Sequence, residues 1–176
     1  MIAFLDKLED IINKVIGVIL VPCFSLIAVV SFMQVISRYV LKVPLPWSEE
    51  LCRYLFIYAT YLGAVIAVTR KQHVDITAID IFLDKIEPEE KRKHAYAVLS
   101  VITSFLSALA LTWITCLSIP YLIKVYGFGQ VTPAMRISLC IPVFSVPMGM
   151  GLMSVLYIKR FLKELILLPK GGASVE

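Results

Sequence analysis

Four apolar runs dominate the pattern of this chain. Residues 15–36 carry no charge, and 51–69 carry only Arg53 near their start. Residues 95–123 and 137–158 again carry none. A helix needs about 20 apolar residues to cross the hydrocarbon of a bilayer. With their flanks, the runs predict four membrane-spanning helices over about 15–38, 49–69, 95–123 and 137–159. No stretch alternates apolar and polar residues with regular turns, so the pattern argues against a β-barrel. The expected fold is an all-α integral membrane protein in a single domain.

Between and beside the runs lie amphipathic stretches. In "VDITAIDIFLDKIEPEEKRK", Ile76, Ile79, Leu83 and Ile86 recur at helical spacing, while Asp80, Asp84 and Lys85 take the other face. Such a helix, over about 75–86, is suited to lie in the interface plane. The N-terminus is similar, with Leu5, Leu8 and Ile12 against Asp6, Glu9 and Asp10, and the tail after Lys159 reads the same way. The first run is too long for the core of a cleavable signal, and mixed charges precede it, so it reads as a retained helix.

Composition agrees with a membrane class. The chain has 176 residues, 59% of them hydrophobic and only 17% charged, and its mean hydropathy is +0.85. A soluble domain carries about a quarter charged residues. The distribution of Lys and Arg sets the orientation. Twelve lie before the first run, between the second and third, or after the fourth; five lie on the other side, namely Arg38, Lys42, Arg53, Lys124 and Arg136. The twelve are expected in the cytoplasm, with both termini. Nucleic-acid binding has no support, because the basic residues sit where membrane topology puts them.

Candidate chemistry is sparse. Cys23, Cys52, Cys116 and Cys140 are scattered in or beside apolar runs and form no CxxC, which argues against a disulfide framework, a redox motif or a zinc site. His73 and His94 lie outside the apolar runs, whereas a membrane haem needs ligands at membrane depth. No cofactor is expected. Asp, Glu, Lys, Arg and His are missing from the middle of every span, where a self-sufficient ion-coupled carrier would keep one. In "IPVFSVPMGMG", Pro142, Pro147, Gly149 and Gly151 suit a bend or the close approach of a neighbour.

The one charged knot is "PLPWSEELCR", residues 44–53. Pro44 and Pro46 keep the connection extended. Ser48 is placed to cap the second span by accepting from a free N–H. Glu49 and Glu50 fall in the first turn, where the helix dipole favours negative charge. Glu49 and Arg53 are four apart and share a face. Arg38, at the end of span one, is in reach of either carboxylate, which predicts an ion pair partly out of water. Trp47 suits an interface position. Three readings stand open: a helix start with an inter-helix clamp, contact with a partner subunit, and catalysis or ion coordination. The first is favoured.

The ordered set over residues 34–76, "QVISRYVLKVPLPWSEELCRYLFIYATYLGAVIAVTRKQHVDI", resembles the small DctQ-type membrane subunit of tripartite ATP-independent periplasmic (TRAP) transporters. "RYV" closes span one, "WSEE" opens span two, "YLGA" lies within it and "HVDI", containing His73 and Asp75, follows it. The resemblance implies a non-enzymatic subunit in the bacterial inner membrane. Its large membrane partner carries the substrate and sodium sites. A periplasmic binding protein delivers an organic acid such as a sialic acid or dicarboxylate. Arg38, Trp47, Ser48, Glu49, Glu50, Arg53, His73 and Asp75 are then candidates for structural or partner contacts. The rival class is the membrane anchor of a redox enzyme complex. Small polar groups of span one (Ser25, Ser31, Gln34), with Gly149 and Gly151, are expected in part to face the large subunit.

Overall fold

The computed structural model describes residues 2–69 and 89–167, with side chains described for 9–69, 96 and 98–166. Four helices account for nearly all of it: α1 (Ile2–Tyr39), α2 (Pro46–Thr69), α3 (Glu89–Gly127) and α4 (Cys140–Leu167). Each is long and apolar enough to cross a membrane. The expected interfacial helix at 75–86, with His73 and Asp75, lies outside the described residues.

The helices outrun the apolar windows. α1 is 38 residues long and α3 is 39. At 1.5 Å per residue each spans about 57 Å, against roughly 30 Å of hydrocarbon. The sequence windows mark where charge is absent, but Glu, Lys and Arg are good helix formers and carry the helices onward. The amphipathic N-terminal stretch is therefore continuous with the first span, and α4 continues past Lys159 to Leu167. At the other end of α4 the helix opens only at Cys140, because residues 130–139 bond among themselves. Val131 and Ser138 form a bridge, Thr132 N–H donates to the Ile137 carbonyl at 2.8 Å and Leu139 N–H to Gln130 at 2.9 Å.

The helices pack as a row in the order α1, α2, α4, α3, with only a marginal contact between α1 and α4. A row buries little. The central cluster is Ile16, Leu62, Val65, Met153 and Leu156, drawn from α1, α2 and α4. No more than 33% of the residues in any apolar window are buried within the chain. In lipid, apolar surface drives no association, so close fit and polar contacts must hold the row. Both occur. Gly149 on α4 meets Tyr61 on α2 so closely that an added Cβ would stand 2.6 Å from the Tyr61 Cβ. Thr112 and Ser154 share a hydrogen bond of 2.7 Å between α3 and α4.

This changes the expectation for the small and polar residues of the spans. Gly149 serves the α2–α4 seam inside the chain, and Gly151 has Thr115 of α3 at 3.7 Å from an added Cβ. Ser31 pairs with Cys52 of α2 at 3.6 Å, and Gln34 donates to Glu49 of α2 at 3.0 Å. Ser25 remains exposed, bonded to the Val21 carbonyl of its own helix. A polar group has a lower-cost partner in its own hairpin than across an interface, so most of this set is used internally.

Candidate functional site

The knot at 44–53 begins with the start of α2. Leu45 precedes the helix and Pro46 takes the first helical position, where its missing N–H costs nothing. Ser48 is therefore two residues inside the helix. Its hydroxyl donates to the Leu45 carbonyl at 2.7 Å, and its own N–H reaches the same oxygen at 3.1 Å. The expected cap, with the Ser48 hydroxyl accepting, is corrected: the serine is fully buried and closes the turn as a donor. Trp47 remains 39% exposed.

Glu49 and Glu50 diverge, because neighbours on a helix point about 100° apart. Glu49 turns to α1. Its Oε1 accepts from Gln34 Nε2 and stands 4.0 Å from an Arg38 guanidinium nitrogen. The Arg38 pair thus forms with Glu49 and not Glu50. Without a bilayer or partner chain the two side chains are 65% and 53% exposed, so the shielding expected of the pair is not provided by this chain. Arg53 is exposed and makes no ion pair among the described residues, since Glu49 is engaged with α1.

Glu50 points the other way and is 6% exposed. Its Oε1 accepts from the Tyr54 hydroxyl at 2.6 Å, one turn along the same helix. Its Oε2 accepts from two successive backbone N–H groups across the molecule, Ala134 at 3.0 Å and Met135 at 2.6 Å. Successive N–H groups in a tight turn form a natural anion seat. Here the seat lies in the α3–α4 connection. The turn closes on Arg136, which takes the left-handed conformation at φ 53° and donates its N–H to Thr132 at 3.1 Å. Thr132 is fully buried, accepts from Ile137 N–H at 3.2 Å, and stands beside both Glu50 and Tyr54. Both Glu50 oxygens are thus occupied by donors within the chain.

The opposite ends of the helices are tied by similar means. Thr69 of α2 donates to Asn13 of α1 at 2.6 Å. Lys159 of α4 pairs with Glu9 of α1. Glu164 of α4 accepts from Ser100 and Ser104 of α3 at 2.6 and 2.8 Å, and from Arg160 at 2.8 Å. Every buried side-chain polar atom among the described residues has a partner. The sequence reading missed Glu164, Thr132 and the 131–138 turn. The Glu50–Tyr54 spacing of four was the available signal for the side Glu50 faces.

Comparison with known proteins bears on this architecture. The chain is 41% identical over 88 residues to the sialic acid TRAP transporter small permease protein SiaQ of Vibrio cholerae, a stretch covering 50% of this chain and 49% of that protein. The chain thus spans about half the length of that relative. It is 27% identical over 161 residues to the ectoine TRAP transporter small permease protein TeaB of Halomonas elongata, covering 92% of this chain and 79% of the relative. It is 36% identical over 90 residues to the sialic acid TRAP transporter permease protein SiaT of Haemophilus influenzae, covering 51% of this chain but 13% of that much longer protein. The family described as tripartite ATP-independent periplasmic transporters, DctQ component, matches residues 27–166, a stretch that runs from within α1 to near the end of α4. With that match over most of its length, the chain belongs to the DctQ component family of TRAP transporters.

Proposed function

We propose that this chain is the fixed scaffold of a TRAP secondary transporter in the bacterial inner membrane, supporting a large permease subunit that performs sodium-driven uptake of an organic acid. The observation that carries the reading is the row of helices tied at both ends. Glu50, Glu49 and Gln34 hold one end, and Glu9, Asn13 and Glu164 hold the other. Apart from Arg53, one turn inside α2, no charged residue lies between these ends in any span. A carrier needs a site near the bilayer midplane and a part that moves around it. A plate tied at both rims, with no such site, is suited to stand still while a partner moves.

The partner reading follows from the exposed apolar flanks and from the relative in which a similar stretch is 13% of a longer permease protein. Relatives are named for sialic acid, ectoine and isethionate, which differ chemically. That diversity fits substrate contacts, and the sodium sites, in the partner. In this account the chain is one membrane domain crossing at 15–38, 49–69, 95–123 and 137–159, both termini cytoplasmic, with an interfacial helix at 75–86. Arg38, Trp47, Ser48, Glu49, Glu50 and Arg53 then lie at the periplasmic rim, near where a binding protein docks, and His73 and Asp75 at the cytoplasmic rim. The family assignment favours this reading over the redox-enzyme anchor.

The test is reconstitution in liposomes with a sodium gradient. Uptake is expected only when the chain, its large partner and a binding protein are all present. Uptake by this chain alone would sink the proposal.

A further inference from the structure

The α1–α2 and α3–α4 connections lie at one end of the row and are joined through the start of α2, where Glu50 bonds Ala134 and Met135. Each connection is tightly folded. Between α1 and α2, Val43 N–H donates to the Ser37 carbonyl at 3.1 Å, and the Ser37 hydroxyl donates back to the Val43 carbonyl. Between α3 and α4, Arg136 N–H closes on Thr132 and Leu139 N–H on Gln130. Among the described residues two non-glycine positions take the left-handed conformation: Lys42, at φ 56°, and Arg136, at φ 53°. One lies in each connection. Glycine or asparagine is the usual choice for such a backbone, because a Cβ crowds the neighbouring carbonyl. Both positions carry a cation instead, and both residues are exposed. Neither side chain makes a hydrogen bond or ion pair among the described residues, so neither turn uses its cation to fold. Strain kept at a basic residue in two unrelated turns points to a use for the charges.

The rest of this end has the same sign. Arg38, Arg53 and Lys124 are exposed as well, which makes five exposed cations. The carboxylates here are Glu49 and Glu50. Glu50 is buried and spent on the 134–135 turn, and Glu49 is engaged by Gln34 and Arg38. Residues 95–158 contain no Asp or Glu. The end is therefore complementary to an anionic surface. A lipid phosphate diffuses to a cation wherever it stands and gains nothing from a fixed backbone. The carboxylates of a folded protein keep their spacing, so cations already held on two rigid turns lose less freedom when such a surface docks.

We propose that this end docks an acidic face of the soluble binding protein, with Lys42 and Arg136 as two fixed contacts that each meet a carboxylate of that protein. The proposal rests on the transporter reading above, in which this end faces the periplasm, and adds the residues and the sign of the contact. Exposed charges at such a contact act chiefly on the rate of association and on its salt dependence.

The chain and its large permease subunit are reconstituted together in phosphatidylcholine nanodiscs, and association of the fluorescently labelled binding protein of the same transporter is followed by stopped flow. Association should slow steeply between about 0.1 and 1 M salt, over which the screening length falls from about 10 to 3 Å. Lys42→Asn and Arg136→Asn remove the charge but keep a residue that tolerates the left-handed backbone. Each should slow association by about two- to five-fold and leave the unfolding midpoint unchanged or higher. Lys42→Arg should keep the rate of the parent chain. Lys14→Gln and Lys163→Gln, at the opposite end of the row, should change nothing. Undiminished association by the double asparagine variant overturns the proposal and leaves the transporter reading intact. A loss of stability in place of a loss of rate would make the two cations structural and also overturns it. So does unchanged docking with a loss of bound phosphatidylglycerol from mixed-lipid nanodiscs, which would assign the cations to lipid. If the parent complex neither binds the protein nor supports uptake, the proposal and the transporter reading fall together.

Discussion

Gly149→Ala is the sharpest packing perturbation the structure offers. The new Cβ would stand 2.6 Å from the Tyr61 Cβ and 3.0 Å from two atoms of its ring. Carbon atoms in contact prefer about 3.5–4.0 Å, so the overlap with the Tyr61 Cβ is about 1 Å. That atom sits at the base of its side chain and moves only with the backbone of α2. The substitution therefore pushes α2 and α4 apart along the seam that also holds Leu62, Val65, Met153 and Leu156. Overpacking of this kind costs about 1–3 kcal/mol. Alanine recovers up to about 1 kcal/mol of helix propensity. Gly151→Ala makes the same propensity gain on the same helix, but its nearest atom is Thr115 Cγ2 at 3.7 Å, an ordinary contact. The difference between the two variants thus isolates the overpacking cost, about 1–3 kcal/mol. Equilibrium unfolding of both in mixed micelles measures it. Tyr61→Ala should relieve only part of the cost, because it keeps the Cβ. A Gly149→Ala chain as stable as Gly151→Ala would refute the α2–α4 seam described here.

Other outcomes follow from the same contacts. Glu50→Ala removes the acceptor of both loop N–H groups and should speed amide exchange at Ala134 and Met135, whereas Glu50→Gln, which keeps one acceptor oxygen, should do so less; unchanged exchange in Glu50→Ala would show that the loop holds its shape unaided. Arg38→Ala breaks only a long, exposed pair and should change the stability of the isolated chain by less than about 1 kcal/mol, so a larger loss in unfolding measurements would mean that the pair is shielded after all. A cysteine at Gln130 should label with an impermeant thiol reagent from the periplasm and one at Lys163 should not, in a background without the native cysteines; the reverse pattern would overturn the orientation.

The four helices were legible because an apolar run of about 20 residues without charge is seldom anything but a membrane span. Their ends were not, because the same polar residues that leave the hydrocarbon continue a helix without difficulty. At the knot, sequence placed Glu49 and Glu50 in the first turn of α2 but did not show that they face different neighbours. The partner of Glu49 lies 15 residues away and that of Glu50 lies 84 and 85 residues away. Local spacing reads the first kind of contact far better than the second. Ser48 was misread because a serine before a helix and one inside its first turn look alike until Pro46 is seen to begin the helix. "MGMG" announced a close approach, yet residues 149 and 151 lie about 200° apart on a helix. Only the structure shows which of them meets Tyr61.

The central claim is that this chain stands still while its partner moves the substrate. Paired cysteines decide it most directly, one on an exposed flank of α1 or α3 and one on the static part of the large permease subunit. The crosslinked complex is reconstituted with a binding protein and a sodium gradient, and uptake is compared with the reduced complex. The account predicts that crosslinking forms and leaves the rate of uptake unchanged. Uptake lost on crosslinking and restored on reduction would mean that the chain travels with the substrate-carrying domain, in contradiction of the scaffold reading.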